Sequence, residues 1–401
     1  MSLSLCNIFI PCPLRDSERD FAMISSHTAY LRLGGMLTVG SLMGLMLAGC
    51  GGGSSNNFST STQTIGGLNT IATLSSTVDA ANGDNNPYAL AIAPPVSTSF
   101  PADGISGHVQ PGDIIVGNFN NSAGTQGAGT TYEDVTTGHP INVFTEPAGT
   151  AGGPVAFAFN TVNGYNWVAN AGLLNSTSPG DQQIVSPTGT LAGTLTNSAT
   201  QYAWGETFNN LFGGKGAFFT SNVYSGSIVR TNIVATNTGV NFTYDTLASG
   251  LPTTLSGFGG TAVGPSGMVD TSNDTLYFVD GLNNTVYSIA NASTVAANTG
   301  TSNVQTVYSD TSGKYLDQPV GLTLNPINGD LIISNQKTNN LVELNPTTKT
   351  IVAVKTVDHT AVQSNGNGSG LFGVAATTDA NGNLKVYFTD DNTNTVDTLS
   401  K

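Results

Sequence analysis

Six short apolar runs each end in a side chain that carries an oxygen: Asn118, Asn170, Asn222, Asp280, Asn335 and Asp390. Oxygens repeated around one opening are a ligand set for a hard cation such as Ca2+ or another divalent metal. The same residue types also cap turns by bonding their own backbone, and a feature present once per repeat suits that role. Residues that break the repeat carry the other candidate chemistry. Tyr132, Glu133, Asp134 and His139 lie in what reads as an insertion, and His359 lies in a connecting loop. Histidine with carboxylates can exchange protons in acid–base catalysis, whereas exposed loop residues are ordinarily just solvated. Glu206, in Trp204-Gly-Glu206-Thr-Phe208, stands apart because the corresponding runs elsewhere are nearly uncharged. It reads either as a metal ligand or as a residue facing solvent at a strand end. The catalytic candidates are therefore Glu206, His139, His359 and Glu133, and the metal candidates are the six recurring Asn and Asp residues.

Other chemistries find no residues to carry them. The chain has no Gly-x-Ser-x-Gly elbow, no His-Glu-x-x-His and no phosphate loop. Asp379-Ala-Asn381-Gly-Asn383 has its glycine at the wrong position for a calcium loop and reads as a hairpin turn. Trp167 and Trp204 read as packing residues. The cysteines are Cys6, Cys12 and Cys50, so residues 51–401 contain no disulfide, thiolate metal site or cysteine nucleophile. That stretch keeps all but three of the 11 Lys+Arg and all but three of the 25 Asp+Glu, so its net charge stays at −14. So acidic a body argues against nucleic acid as a partner, because binding it depends on neutralising phosphates with Lys and Arg. Only 9% of residues are charged, and Asn, Thr, Ser and Gly supply the polarity instead. Such a surface changes charge little when carboxylates protonate, which suits an acidic habitat.

The elements that position these residues repeat. The terminal polar residues of the six runs lie 52, 52, 58, 55 and 55 residues apart, and a constant period of this size marks a repeat architecture. Each unit has an apolar first strand, a turn, the second strand ending in Asn or Asp, and a third strand. The third strands read Ile141–Phe144, Gln183–Val185, Ser227–Val229, Thr285–Ile289, Asn340–Leu344 and Thr395–Leu399. Blade one carries insertions around 94–112 and 121–138. Fourth strands appear at Asn303–Tyr308 and Thr350–Val354, and the last unit lacks one. Thr70-Ile-Ala-Thr-Leu74 followed by Thr77-Val-Asp79 repeats the pattern of Thr350-Ile-Val-Ala-Val354 followed by Thr356-Val-Asp358. Residues near 70–78 are therefore predicted to pair with 395–399 and close a ring, the arrangement that removes exposed sheet edges. The fold class is all-β: a six-bladed β-propeller of four-stranded blades over residues 69–401, closed by an N-terminal strand.

Gln318-Pro-Val-Gly-Leu-Thr-Leu-Asn-Pro-Ile-Asn-Gly-Asp-Leu-Ile-Ile-Ser-Asn335 through Leu341-Val-Glu-Leu344 resembles the blades of NHL, YVTN and SMP-30-like propellers. The resemblance covers the later blades best and implies that ligands meet the face shared by the second-to-third-strand turns and the loops leading into first strands. It also implies, for Glu206, the metal-ligand role that a glutamate has in SMP-30-like lactonases.

The apolar run Leu31–Leu47 ends at Leu47-Ala48-Gly49-Cys50. This resembles the bacterial lipobox, which implies a signal peptide over 1–49 and acylation of Cys50, for example with palmitate. Residues 50–68, opening with Gly51-Gly-Gly-Ser-Ser55, read as a lipidated flexible tether. Arg15, Asp16, Glu18, Arg19 and Asp20 are unusual in such a leader, and Met23 offers a more conventional start. Gly51 in place of Asp favours an outer-membrane destination. The expectation is a bacterial cell-envelope lipoprotein. Its propeller binds or scaffolds an envelope protein, a glycan or a small ligand on one face, and the membrane is a partner through the lipid. The alternative is a divalent-metal-dependent lactonase, hydrolase or lyase of SMP-30/NHL type.

Overall fold

The computed structural model describes residues 61, 63–95, 108–150, 152–173, 180–200, 202–209, 215–237, 239–257 and 261–401. The leader, Cys50 and the glycine run after it lie outside them, as do residues 96–107 of the first expected insertion. The described residues form six antiparallel four-stranded sheets. Blade 1 comprises β2 (Asn85–Ile92), β3 (Ile114–Asn120), β4 (Thr131–Asp134) and β5 (Ile141–Thr145). Blade 2 comprises β6 (Pro154–Phe159), β7 (Asn166–Asn170), β8 (Asp181–Val185) and β9 (Leu191–Leu195). Blade 3 comprises β10 (Ala203–Asn209), β11 (Lys215–Asn222), β12 (Ser227–Thr236) and β13 (Gly239–Ala248). Blade 4 comprises β14 (Pro265–Asp270), β15 (Thr275–Asp280), β16 (Thr285–Ala290) and β17 (Gln305–Ser309). Blade 5 comprises β18 (Pro319–Leu324), β19 (Leu331–Asn335), β20 (Asn340–Asn345) and β21 (Thr350–Thr356).

Blade 6 is completed from both ends of the propeller. Its first three strands are β22 (Leu371–Thr378), β23 (Leu384–Asp390) and β24 (Thr395–Ser400), and its outer strand is β1 (Thr70–Ser76). Thr70 pairs with Ser400 and Ser76 with Thr395, as the matched sequence pattern predicts. Just upstream, a short 3-10 turn, Ile65–Gly67, docks against blade 5. The Ile65 N–H donates to Glu343 Oε2 at 2.8 Å, and Ile65 and Leu68 are fully buried. The last residues of the span read as a tether thus belong to the folded body, held by a buried glutamate and two apolar side chains. The chain reaches β1 on the face that carries the turns between first and second strands, here the hairpin face. The opposite face, here the loop face, carries the second-to-third-strand turns.

Blade 1 departs from the sequence reading in one respect. Ile141–Thr145 is the fourth strand, and the third is Thr131–Asp134, inside the expected insertion. Thr-Tyr-Glu-Asp reads as a polar loop because its polar groups are satisfied inside the fold. Thr131 Oγ1 accepts from Asn118 Nδ2 at 3.1 Å, and Glu133 Oε1 accepts from Asn142 Nδ2 at 2.9 Å. The Tyr132 ring packs against Phe144 and Phe157 with centroids 5.1 and 5.3 Å away.

All six first strands share a device. The residue paired with the end of the second strand is followed by a β-bulge. Then comes a glycine or alanine: Ala89, Ala156, Gly205, Gly267, Gly321 and Gly373. A Cβ on Gly267 would sit 2.6 Å from the Val320 carbonyl oxygen of the next blade, and one on Gly373 2.6 Å from that of Tyr88. Gly205 and Gly321 meet Ser266 and Phe372 in the same way. The innermost strands therefore approach to backbone contact, which only the smallest residues allow. Gly321→Ala is expected to destabilise the chain by about 1–3 kcal/mol, the usual cost of overpacking. Denaturant unfolding would show it as a lower midpoint with an unchanged m-value.

Candidate functional site

The bulges aim side chains at the channel. Tyr88, Val155, Trp204, Val320 and Phe372, each one residue before the small residue, join Phe119 in one cluster. Tyr88 stacks on Phe119 and Phe372 with centroids 4.3 and 3.5 Å apart, and Trp204 meets Tyr88 and Phe119 edge-on. These aromatic rings plug the channel where the first strands begin, at the loop face. Below the plug, a cavity of about 280 Å3 runs between the first strands of all six blades. Its side chains become partly exposed toward the strand ends, at Ile92, Thr207, Val269, Thr323 and Ala376.

Glu206 lines this cavity and is 5% exposed, so it does not face solvent. Its Oε1 accepts from Gln182 Nε2 at 2.6 Å, and Oε2 has no partner. The same Gln182 Nε2 donates to Thr220 Oγ1 at 2.6 Å. Burial holds the Glu206 carboxyl well above the usual range, opposed by the Gln182 hydrogen bond.

The six recurring Asn and Asp residues end the second strands on the loop face, all buried. Three of them clamp the loop that delivers the first strand of their own blade. Asn118 Nδ2 donates to the Thr77 carbonyl at 2.7 Å, Asn222 to Ala199 at 3.1 Å and Asn335 to Tyr315 at 2.6 Å. Asn170 Nδ2 donates to Asp181 Oδ1 at 2.9 Å. Asp280 and Asp390 cap their own turns, accepting from the Leu282 and Asn392 N–H groups at 2.9 Å each. None of these hydrogen bonds joins one of the six to another or to Glu206. The amide oxygens of Asn118, Asn170 and Asn222 are buried and have no protein partner.

The acid–base candidates are not brought together. His139 is exposed in the β4–β5 turn on the hairpin face, with Nδ1 3.4 Å from Thr137 Oγ1. His359 is exposed in the β21–β22 loop on the opposite face. Glu133 is buried on β4, and its carboxyl is pushed up to about 8 by burial, partly offset by Asn142 and reinforced by Asp79. They stay apart because β4 takes Tyr132, Glu133 and Asp134 into the sheet while the two histidines lie in turns on opposite faces. Among the described residues, no three His, Cys, Asp or Glu side chains group as a metal site.

The loop face has a second feature that the repeat search did not reveal. Leu173, Tyr224 and Leu282 are 41%, 38% and 42% exposed, and they sit just after Asn170, Asn222 and Asp280 in adjacent blades 2, 3 and 4. Tyr224 stacks on Tyr202 at 3.9 Å between centroids. Blade 5 has Lys337 and blade 6 has Asn392 at the corresponding turn.

No protein-family model matches the chain, and no curated protein matches it in sequence. Solved structures share the fold at low identity. A protein of unknown function from Bacteroides thetaiotaomicron is 12% identical, with 82% of this chain and 75% of that one covered and a TM-score of 0.50. Virginiamycin B lyase from Staphylococcus aureus is 13% identical over 83% of this chain and 99% of its own, with a TM-score of 0.48. A streptogramin B lyase gives 11%, 82%, 97% and 0.43. At these identities the likeness concerns the six-bladed β-propeller alone.

The buried carboxyls set a pH dependence. Burial raises Asp270 and Asp391 to about 7, and Asp280 and Asp390 to about 6. Repulsion from Asp274 adds to the first, and from Asp358 to the second and fourth. With Glu133 at about 8, these groups hold their protons more tightly folded than unfolded. As pH rises past the unfolded carboxyl range, near 4, the unfolded chain releases protons first, so stability falls until the folded groups ionise at about 6 to 8. Asp245 and Asp310 are shifted down and contribute the opposite slope, lost as pH falls below their ordinary range. The melting temperature is expected to peak near pH 4–5 and to be roughly 5 °C or more lower at pH 8. A thermal melt series from pH 3 to 9 checks this, and a maximum above pH 7 would refute it.

Proposed function

We propose that this chain is a bacterial envelope lipoprotein, acylated at Cys50, whose NHL/YVTN/SMP-30-like propeller binds a protein partner through the loop face over blades 2 to 4. The observation that carries the reading is the arc of exposed Leu173, Tyr224 and Leu282 on adjacent turns. Exposed leucine and tyrosine in a row, with few charges among them, have the composition of an interface centre. The channel mouth on that face is filled by stacked aromatic rings, which favours a binding surface over a catalytic cleft there. The Leu-Ala-Gly-Cys50 sequence and the apolar run before it support the anchor. Gly51 favours the outer membrane as its destination.

Two experiments test this reading. Cys50→Ser is expected to move the chain from the membrane fraction to the soluble one and to abolish labelling by a fatty-acid analogue. Membrane retention of that variant would overturn the anchor. In crosslinking with envelope extracts, the triple change Leu173→Ser, Tyr224→Ser and Leu282→Ser is expected to reduce the principal crosslink at least about tenfold while the melt stays unchanged. An unaffected crosslink would overturn the assigned face.

A further inference from the structure

Six asparagines are followed directly by glycine, at positions 82, 163, 328, 365, 367 and 381. In an Asn-Gly pair the asparagine side chain is open to attack by its own main chain, because glycine has no Cβ to obstruct the approach. The attacking atom is the glycine's backbone nitrogen, which must first lose its proton. A glycine N–H already committed to a hydrogen bond resists both steps, since the turn around it has to open before it can react.

Five of the pairs are held in this way. The Gly83 N–H donates to the Asp79 carbonyl at 3.0 Å, Gly164 to Asn160 at 2.8 Å and Gly329 to Asn325 at 2.9 Å. Gly366 donates to Gln363 at 3.0 Å and Gly382 to Asp379 at 2.9 Å. Four of the asparagine side chains are tied down too. Asn82 Oδ1 accepts from the Asp84 N–H, Asn163 from Tyr165, Asn328 from Asp330 and Asn365 from Asn367. Among the described residues, Asn367-Gly368 is the one Asn-Gly pair in which neither the side chain nor the glycine N–H has a hydrogen-bond partner.

Asn367 is exposed on the β21–β22 loop, on the loop face. The fold also requires the glycine after it. Gly368 has a φ of +82°, and a Cβ there would meet the Ala361 carbonyl oxygen. Its own carbonyl is anchored, accepting from Asn339 Nδ2 at 2.7 Å and from Asn392 Nδ2 at 2.9 Å. The residue that makes the pair reactive is thus one the loop cannot exchange for a bulkier, slower neighbour.

We propose that Asn367 is a self-modification site, converting to aspartate and isoaspartate through a succinimide with Gly368 as the chain ages. The Gly368 nitrogen gives its proton to a base in the solvent and bonds to the side-chain carbonyl carbon of Asn367. The amide nitrogen Nδ2 takes up a proton and leaves as ammonia. Water then opens the ring at either carbonyl, so the net reaction consumes a water and releases an ammonia. Each conversion adds a negative charge to the loop face between blades 5 and 6, outside the arc over blades 2 to 4. The isoaspartyl product also lengthens the main chain by a methylene beside the Gly368 anchor.

Peptide mapping of the full-length chain after incubation in mildly alkaline buffer tests the site. Trypsin releases residues 356–385 as one peptide carrying Asn365, Asn367 and Asn381, so fragmentation compares three Asn-Gly pairs side by side. In the folded chain Asn367 is expected to convert at least about fivefold faster than the other two, the rate difference for a hydrogen bond that must first break. In denaturant the three are expected to convert at similar rates. No conversion at Asn367, or conversion of Asn365 or Asn381 as fast in the folded chain, would overturn the proposal. So would a lead of Asn367 that persists in denaturant, because local sequence and not the fold would then set the order.

Discussion

Backbone contact between neighbouring first strands is the constraint on which the rest of this propeller depends. With glycine or alanine at each third position, the strands close into a narrow ring, and the bulge beside each small residue turns one side chain into the channel. The aromatic plug, the cavity below it and the alternation of faces that builds the blade junctions all follow from that placement. A larger residue at Gly321 would push against a backbone oxygen of the next blade, which cannot move without opening the ring.

Around this ring, polar side chains act as fasteners more than as reactants. Asn118, Asn222 and Asn335 hold the carbonyls of loops arriving from the previous blade. Glu343 holds the N–H of Ile65 and, through Asn325, the Gln63 carbonyl upstream of the closing strand. A propeller with no disulfide needs such ties because each blade meets only its two neighbours. The N-terminal strand contributes to the same end, leaving β24 paired on both sides.

The scarcity of basic residues shapes the electrostatics. Among the described residues, few carboxylates meet a cation; Arg230 with Asp245 at 2.6 Å is the tightest such pair. Other buried carboxyls accept from side-chain amides, hydroxyls and backbone N–H groups, and burial raises several of them above the usual carboxylate range. That makes their burial compatible with acidic surroundings and costly in alkaline ones.

Period and pattern alone determined much of this protein. The 52- to 58-residue spacing of Asn and Asp, the Pro-x-Gly strands and the echo of Thr350–Asp358 in Thr70–Asp79 made six blades and their closure legible, because these are local patterns repeated by the architecture itself. Glu206 was legible as an anomaly in an uncharged series. Only the tertiary structure decided what that anomaly meets, since Gln182 lies 24 residues earlier in another blade and joins it only across a junction. The same holds for β4, whose polar Thr131 and Glu133 are compatible with sheet only because Asn118 and Asn142 fold against them. It holds too for the separation of His139 from His359, which depends on which face each turn occupies. Local periodicity reports how a strand alternates; which partners a buried polar side chain finds depends on contacts between residues far apart in the chain.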